Sequence, residues 1–192
     1  FWAQTSQQQY PAGSVMTPYI GSHDTPRFAT LASYRGQDGA HDPGIPGNKW
    51  DNIATAPTAD AYPRHRTALA WLMGLPGAPL LYYGDEYADW GGADPNNRAM
   101  WRGNGALSVE EAATLSLTRA LGLARRGIPA MRRGDYRSVY ATEEQLVIAR
   151  VDGSNAALVL INRATTPVTL SIPLPVTLPI TNGTTLKAHL GG

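Results

Sequence analysis

Two short apolar runs constrain this 192-residue chain more than any other feature: residues 14–20 (SVMTPYI) and residues 78–83 (APLLYY). Both are too short for a buried helix and read as buried strands, the first in spite of Pro18. Neither ends in a turn. The first runs into Gly21-Ser22-His23-Asp24-Thr25-Pro26-Arg27, the second into Gly84-Asp85-Glu86, and a long polar loop follows each, over residues 36–58 and about 89–105. Between them the pattern turns helical from Tyr62. Ala68, Leu69, Leu72 and Met73 fall at helix spacing, Pro63 sits in the first turn, and the GLPG of residues 74–77 stops the helix. A second helix starts at Ser108, with Glu111 three residues on completing a capping box. Ala112, Leu115, Leu117, Leu121 and Leu123 carry it to Arg126, and Gly127 closes it. Strand, loop, helix, twice over, is the repeat of a parallel α/β sheet, and where such a sheet closes into a barrel the binding and catalytic residues stand at the C-terminal ends of its strands.

Near residue 127 the texture changes. Residues 137–140, 145–151, 156–162, 168–172 and 184–190 read as short strands separated by turn residues such as Asp152-Gly153-Ser154-Asn155. Val147, Ala149 and Val151 alternate as in a half-buried strand. The expected fold is therefore α/β plus all-β: two βα units of a barrel over residues 1–126, then a small antiparallel β-sandwich over residues 127–192. Residues 1–13 are Gln-rich and end in a break at Tyr10-Pro11-Ala12-Gly13.

Composition removes several function classes. The net charge of +1 makes no electrostatic case for nucleic acid or an anionic membrane surface. No apolar run approaches the roughly 20 residues that span a bilayer. With no cysteine there are no disulfides and no thiolate metal sites, which leaves the compartment open. The chain opens on Phe1-Trp2-Ala3-Gln4, which points to an internal start.

The first strand delivers His23, Asp24 and Arg27; the second delivers Tyr82, Tyr83, Asp85 and Glu86. A strand ending in His-Asp serves equally well to cap a following helix, since Asp is a favoured N-cap residue. The wider motif adds to this. Residues 19–28 read Tyr-Ile-Gly-Ser-His-Asp-Thr-Pro-Arg-Phe, residues 75–86 read Leu-Pro-Gly-Ala-Pro-Leu-Leu-Tyr-Tyr-Gly-Asp-Glu, and residues 91–98 read Gly-Gly-Ala-Asp-Pro-Asn-Asn-Arg. In this order they resemble the α-amylase superfamily, glycoside hydrolase family 13. That family has Phe-x-x-Asn-His-Asp at its seventh barrel strand, Leu-Pro-Gly-x-Pro-x-x-Tyr-Tyr-Gly-x-Glu at the eighth, and Asp-Pro-x-x-Arg beyond in oligosaccharide-acting members. Ser22 stands where the family has Asn.

The resemblance implies retaining hydrolysis or transfer at α-glycosidic bonds of α-glucans or α-glucosides. It makes Asp24 the family's third carboxylate, a transition-state stabiliser that is neither nucleophile nor acid. It makes His23, Arg27, Asp94 and Arg98 substrate-binding residues, with Asp94 and Arg98 an ion pair that closes the pocket or braces a loop. Glu86 is expected to bond loop backbone. Trp50, Trp90 and Trp101 are candidates for stacking on sugar rings. His41, His65 and His189 have no partners at metal spacing, and neither a metal nor a cofactor is expected. The family's nucleophilic Asp and acid/base Glu lie upstream, and residues 1–13 contain no acidic residue. The chain is thus expected to be the C-terminal part of such an enzyme, inactive alone, with the N-terminal remainder of the barrel as its partner. The alternative is a non-catalytic carbohydrate-binding or degenerate homologue.

Overall fold

A computed structural model describes residues 2–33, 54–103 and 105–190. Trp50, His41 and most of the loop expected over residues 36–58 lie outside the described residues. Five helices are described: α1 (Trp2–Gln9), α2 (Phe28–Ser33), α3 (Ala61–Gly74), α4 (Val109–Gly127) and α5 (Pro129–Arg133). Three strands follow: β1 (Asp135–Ala141), β2 (Gln145–Asp152) and β3 (Asn155–Asn162). Single 3₁₀ turns form at Asp85–Tyr87 and Asn96–Arg98. The contacts define two compact units. One comprises Phe1–Pro18, Ala70–Pro79 and Ala120–Gly192; the other comprises Tyr19–Leu69 and Leu80–Arg119.

The first unit is built on one antiparallel sheet in the order β1-β2-β3. Asp152 pairs with Asn155 across a two-residue turn, and Gly153 takes the positive φ of +60° that such a hairpin requires. The register of β1 on β2 shifts between Ser138 and Tyr140, a bulge at Val139. In β2 the residues Val147, Ile148, Ala149, Arg150 and Val151 are all buried, so both of its faces are covered. Ile148 packs with Leu75 and Tyr136, whereas Ala149 and Val151 pack with Leu178, flanked by Leu174 and Ile180. Here the expectation of a sandwich is corrected. Among the described residues there is one sheet, and residues 168–172 and 184–190 form no ladder. Irregular chain around Leu178 lies on the face where a sandwich has its second sheet. That face needs only apolar cover, and Pro173, Pro175 and Pro179 deny the segment the regular donors of a ladder.

The two expected barrel strands are not formed as strands: among the described residues neither belongs to a ladder. One backbone bond joins them, Ala78 N–H to Met16 O at 2.8 Å. Val15, Met16, Tyr19 and Leu80 are exposed rather than buried. A parallel strand needs a hydrogen-bonded neighbour along its length, and a single bond does not meet that need.

Helix α1 was not legible in the Gln-rich segment. It is anchored from the side by Gln7, whose Oε1 accepts the Tyr136 N–H at 2.7 Å. The end of α3 is held by two buried arginines. Arg125 donates to the carbonyls of Met73 (2.7 Å), Leu75 (3.0 Å) and Gly77 (2.6 Å). Arg150 donates to Gly74 (2.9 Å), Leu75 (2.7 Å) and, from the other side of its fork, Gly134 (2.7 Å). A helix C-terminus leaves carbonyls without partners and carries partial negative charge, and a guanidinium answers both needs. Burial pulls the Arg150 pKa down to about 10, and the Arg125 charge adds to the shift.

In the second unit, Ala29, Tyr62 and Ala88 form a small core against which Trp90 packs. The capping box of α4 is present: Ser108 N–H donates to Glu111 Oε2 at 2.8 Å, and Glu111 N–H to Ser108 Oγ at 3.2 Å. The helix presents a different face from the one its leucines indicate. Glu111, Thr114, Thr118, Leu121 and Arg125 are buried, while Ala112 and Leu123 are exposed. The polar members are buried because each finds a partner. Thr118 Oγ1 bonds the Glu86 carbonyl at 2.9 Å, and Glu111 pairs with Arg102.

Candidate active site

The cluster begins with a tight turn. Ser22 N–H donates to Thr25 Oγ1 at 3.2 Å, and Asp24 N–H donates to Ser22 Oγ at 3.2 Å. Ser22 therefore supports the His-Asp pair through its hydroxyl. His23 and Asp24 project outward, with side chains 64% and 70% exposed, and His23 Nε2 lies 3.2 Å from Asp24 Oδ2. Helix α2 begins only at Phe28, and the carboxylate of Asp24 contacts His23 and Arg98.

Arg98, remote in sequence, arrives at this turn from its 3₁₀ turn. Its Nε lies 3.0 Å from Asp94 Oδ1 and donates to the His23 carbonyl at 3.1 Å; its Nη2 lies 3.7 Å from Asp24 Oδ1. The expected Asp94–Arg98 pair thus exists and touches the His23–Asp24 turn. The neighbouring Asn97, which sequence reasoning passed over, is buried beneath it. Its Nδ2 donates to the carbonyls of His23 at 2.7 Å and Thr25 at 2.8 Å. Nothing in the sequence marks Asn97 apart from its place beside Arg98.

Beneath the turn lies a second polar layer. Arg27 donates from Nε to the Asn97 carbonyl at 2.9 Å and from Nη1 to the Tyr83 carbonyl, and it lies 3.3 Å from Asp85 Oδ1. Its guanidinium carbon sits 4.2 Å from the centre of the Tyr82 ring and 4.7 Å from that of Tyr83. Burial raises Asp85 to a pKa of about 6 against the opposing pull of Arg27. Burial lowers His65, whose Nε2 meets the Asp85 carbonyl at 2.8 Å, to about 4. Burial also pushes Tyr82 up to about 12, with Tyr83 adding. Gly21 is required here, since a Cβ on it would lie 2.7 Å from Asp85 Oδ2.

Comparison with known proteins agrees on one family. No family model matches the chain. A cyclomaltodextrin glucanotransferase of Paenibacillus macerans is 30% identical over 160 residues, covering 83% of this chain and 18% of that protein. The debranching enzyme of Nostoc punctiforme superposes with a TM-score of 0.65 at 27% identity, over 88% of this chain and 29% of that one. The α-amylase of Geobacillus thermoleovorans, solved with acarbose, gives 0.64 at 25% identity, over 85% and 31%. This chain belongs to the α-amylase superfamily. It spans less than a third of the length of each of these relatives.

Within this α-amylase-type chain the site residues sort by depth. His23, Asp24, Asp94 and Arg98 form an exposed cluster. Arg27, expected at the sugar-binding surface, does not belong to it. It is 1% exposed, because its donors are turned to Asn97, Tyr83 and Asp85 in the layer below. Glu86 bonds loop backbone as expected, accepting the Gly84 N–H at 2.6 Å, and its other oxygen accepts the Trp101 indole N–H at 2.9 Å. Trp101 is 54% exposed, whereas Trp90 is half-buried and packs against the Ala29, Tyr62 and Ala88 core. Among the described residues no three His, Asp or Glu side chains gather as metal ligands, and no helix is long and apolar enough to cross a membrane.

Proposed function

We propose that this chain carries the sugar-hydroxyl-binding side of a retaining α-glycosidase or α-glucanotransferase that acts on α-glucans or maltooligosaccharides. Asp24 is its third carboxylate, a two-oxygen acceptor for vicinal hydroxyls of the sugar at the cleavage point. His23, Asp94 and Arg98 bind the same sugar around it. Residues 14–20 and 78–83 are two strands of the enzyme's barrel, residues 1–126 belong to the barrel domain, and residues 127–192 to an accessory antiparallel β domain. The observation that carries this reading is the approach of Arg98, itself paired with Asp94, to His23 and Asp24 across more than 70 residues of chain, with both oxygens of Asp24 close to donors and the carboxylate still open to solvent.

A retaining mechanism needs a nucleophile and an acid about 5 Å apart. The interior carboxylates here are committed elsewhere: Asp85 to Arg27, Glu111 and Asp89 to Arg102. The half-exposed Glu110 pairs with Arg66. In the family this chain resembles, the nucleophilic Asp and the acid/base Glu stand on barrel strands upstream of the motifs present here, and on that reading the chain by itself turns over no maltooligosaccharide. Joined to those two carboxylates it does. Hydroxyl bonds that tighten in the transition state supply several kcal/mol, so Asp24→Asn lowers kcat/KM of the joined protein about a hundredfold. Maltopentaose assays with the purified chain and with the joined protein test this. Turnover by the chain alone that disappears in Asp24→Asn overturns the reading. A joined protein that binds but never cleaves favours a degenerate, carbohydrate-binding homologue.

A further inference from the structure

We propose that Asn97 is the positioning residue for Asp24: one buried amide grips the backbone on both sides of that carboxylate and ties it to the segment that carries Asp94 and Arg98. The inference rests on the sugar-binding reading of Asp24 for its functional meaning, and on geometry for the rest. Asp24 stands between two carbonyls, those of His23 and Thr25, and both accept from the same Asn97 Nδ2, at 2.7 and 2.8 Å. The Ser22 carbonyl is the next nearest acceptor, at 3.5 Å. All these partners are acceptors, so the amide has only one orientation that satisfies them, with nitrogen towards the turn.

Asn97 is itself held. It is fully buried, and its backbone carbonyl accepts from Arg27 Nε at 2.9 Å, while Arg27 N–H donates to the Gly91 carbonyl at 3.0 Å. The adjacent residue, Arg98, adds a third grip on the turn through the His23 carbonyl at 3.1 Å. Exposed turns are the most mobile parts of a fold, and a carboxylate that must meet two hydroxyls at hydrogen-bond distance cannot drift by an ångström without loss. A buried donor pair beneath the turn removes that freedom without occupying the surface that sugar needs.

Asn97→Asp is the discriminating change. It keeps the volume and removes the donors, placing a carboxylate against carbonyl oxygens. Asn97→Ser, which keeps one donor, serves if the first variant does not fold. In ¹⁵N-labelled samples of the 192-residue chain, both changes are expected to move the amide resonances of residues 22–27, Asn97→Asp more than Asn97→Ser, and to leave those of β1, β2 and β3 in place. A purely structural asparagine would disturb the chain broadly or not at all. Titration with maltotetraose is expected to show affinity at least about fivefold weaker in Asn97→Asp. Unmoved loop resonances in a folded variant, or equal movement across the sheet, overturn the proposal, as does an affinity equal to wild type. Absence of any maltotetraose response in the wild-type chain counts against the sugar-binding reading alone, and movement confined to residues 22–27 then still upholds the positioning role.

Discussion

Arg27 and Asp85 meet in the interior, guanidinium nitrogen to carboxylate oxygen at 3.3 Å, with 1% and 0% of their side chains exposed. The pair is not a simple stabilising bridge. Burial outweighs the attraction of Arg27 and lifts Asp85 from its ordinary 3.8 to about 6. A carboxyl that binds its proton more tightly when folded makes stability fall as pH rises from about 4 to about 6.

His65, bonded to the Asp85 carbonyl, acts in the opposite sense. Burial holds it neutral down to about pH 4, so the unfolded chain binds its proton first and stability rises with pH up to about 6.5. Each shift of about two units is worth roughly 3 kcal/mol, and the two nearly cancel. Asp85→Asn is therefore expected to tilt stability, relative to wild type, upward between pH 4 and 6.5 by about that amount, and His65→Asn to tilt it downward. Urea unfolding at a series of pH values reads both. Parallel pH profiles for the three proteins would show that the two groups do not titrate as described.

The end of α3 depends on Arg150. Replacing it with Met keeps the bulk but leaves the Gly74 and Gly134 carbonyls without the donors they have now, an expected loss of about 2–4 kcal/mol. Arg150→Lys is expected to recover less than half, because one ammonium cannot reproduce the planar fork that reaches Gly74, Leu75 and Gly134 together. Denaturant midpoints compare the three proteins, and full recovery by Lys would show that charge rather than geometry holds the helix end.

The capping box makes a smaller, local prediction. Ser108→Ala removes the acceptor for the Glu111 N–H and is expected to cost about 1 kcal/mol. Glu111→Gln costs more, because Glu111 and Asp89 together hold Arg102 and raise its pKa. Thermal unfolding ranks the two changes; the reverse order contradicts the network.

What was legible in the sequence followed from local signals. The box at Ser108 and Glu111, the stop after Gly74 and the hairpin at Gly153 are written in neighbouring residues, and all three are present. The grouping of Asp24 with Asp94 and Arg98 was visible only through the family motif, since no spacing rule joins positions 70 residues apart. Partners decided the rest. The buried face of α4 is set by Thr118 and Glu111 through their bonds to Glu86 and Arg102, which periodicity cannot see. Arg27 is a substrate-binding residue by the family resemblance, but a guanidinium that finds carbonyls on two other segments turns inward. Asn97 carried no signal, because a buried amide is identified by what it touches.

The most direct test of the account is a maltotetraose titration of the labelled chain, followed residue by residue, for wild type and Asp24→Asn. The account predicts shifts centred on His23, Asp24, Asp94 and Arg98 in the wild-type chain, and their loss in the variant while the rest of the spectrum is unchanged. Shifts of equal size and affinity in Asp24→Asn, or shifts centred elsewhere in the chain, would contradict the assignment of Asp24 as a sugar ligand.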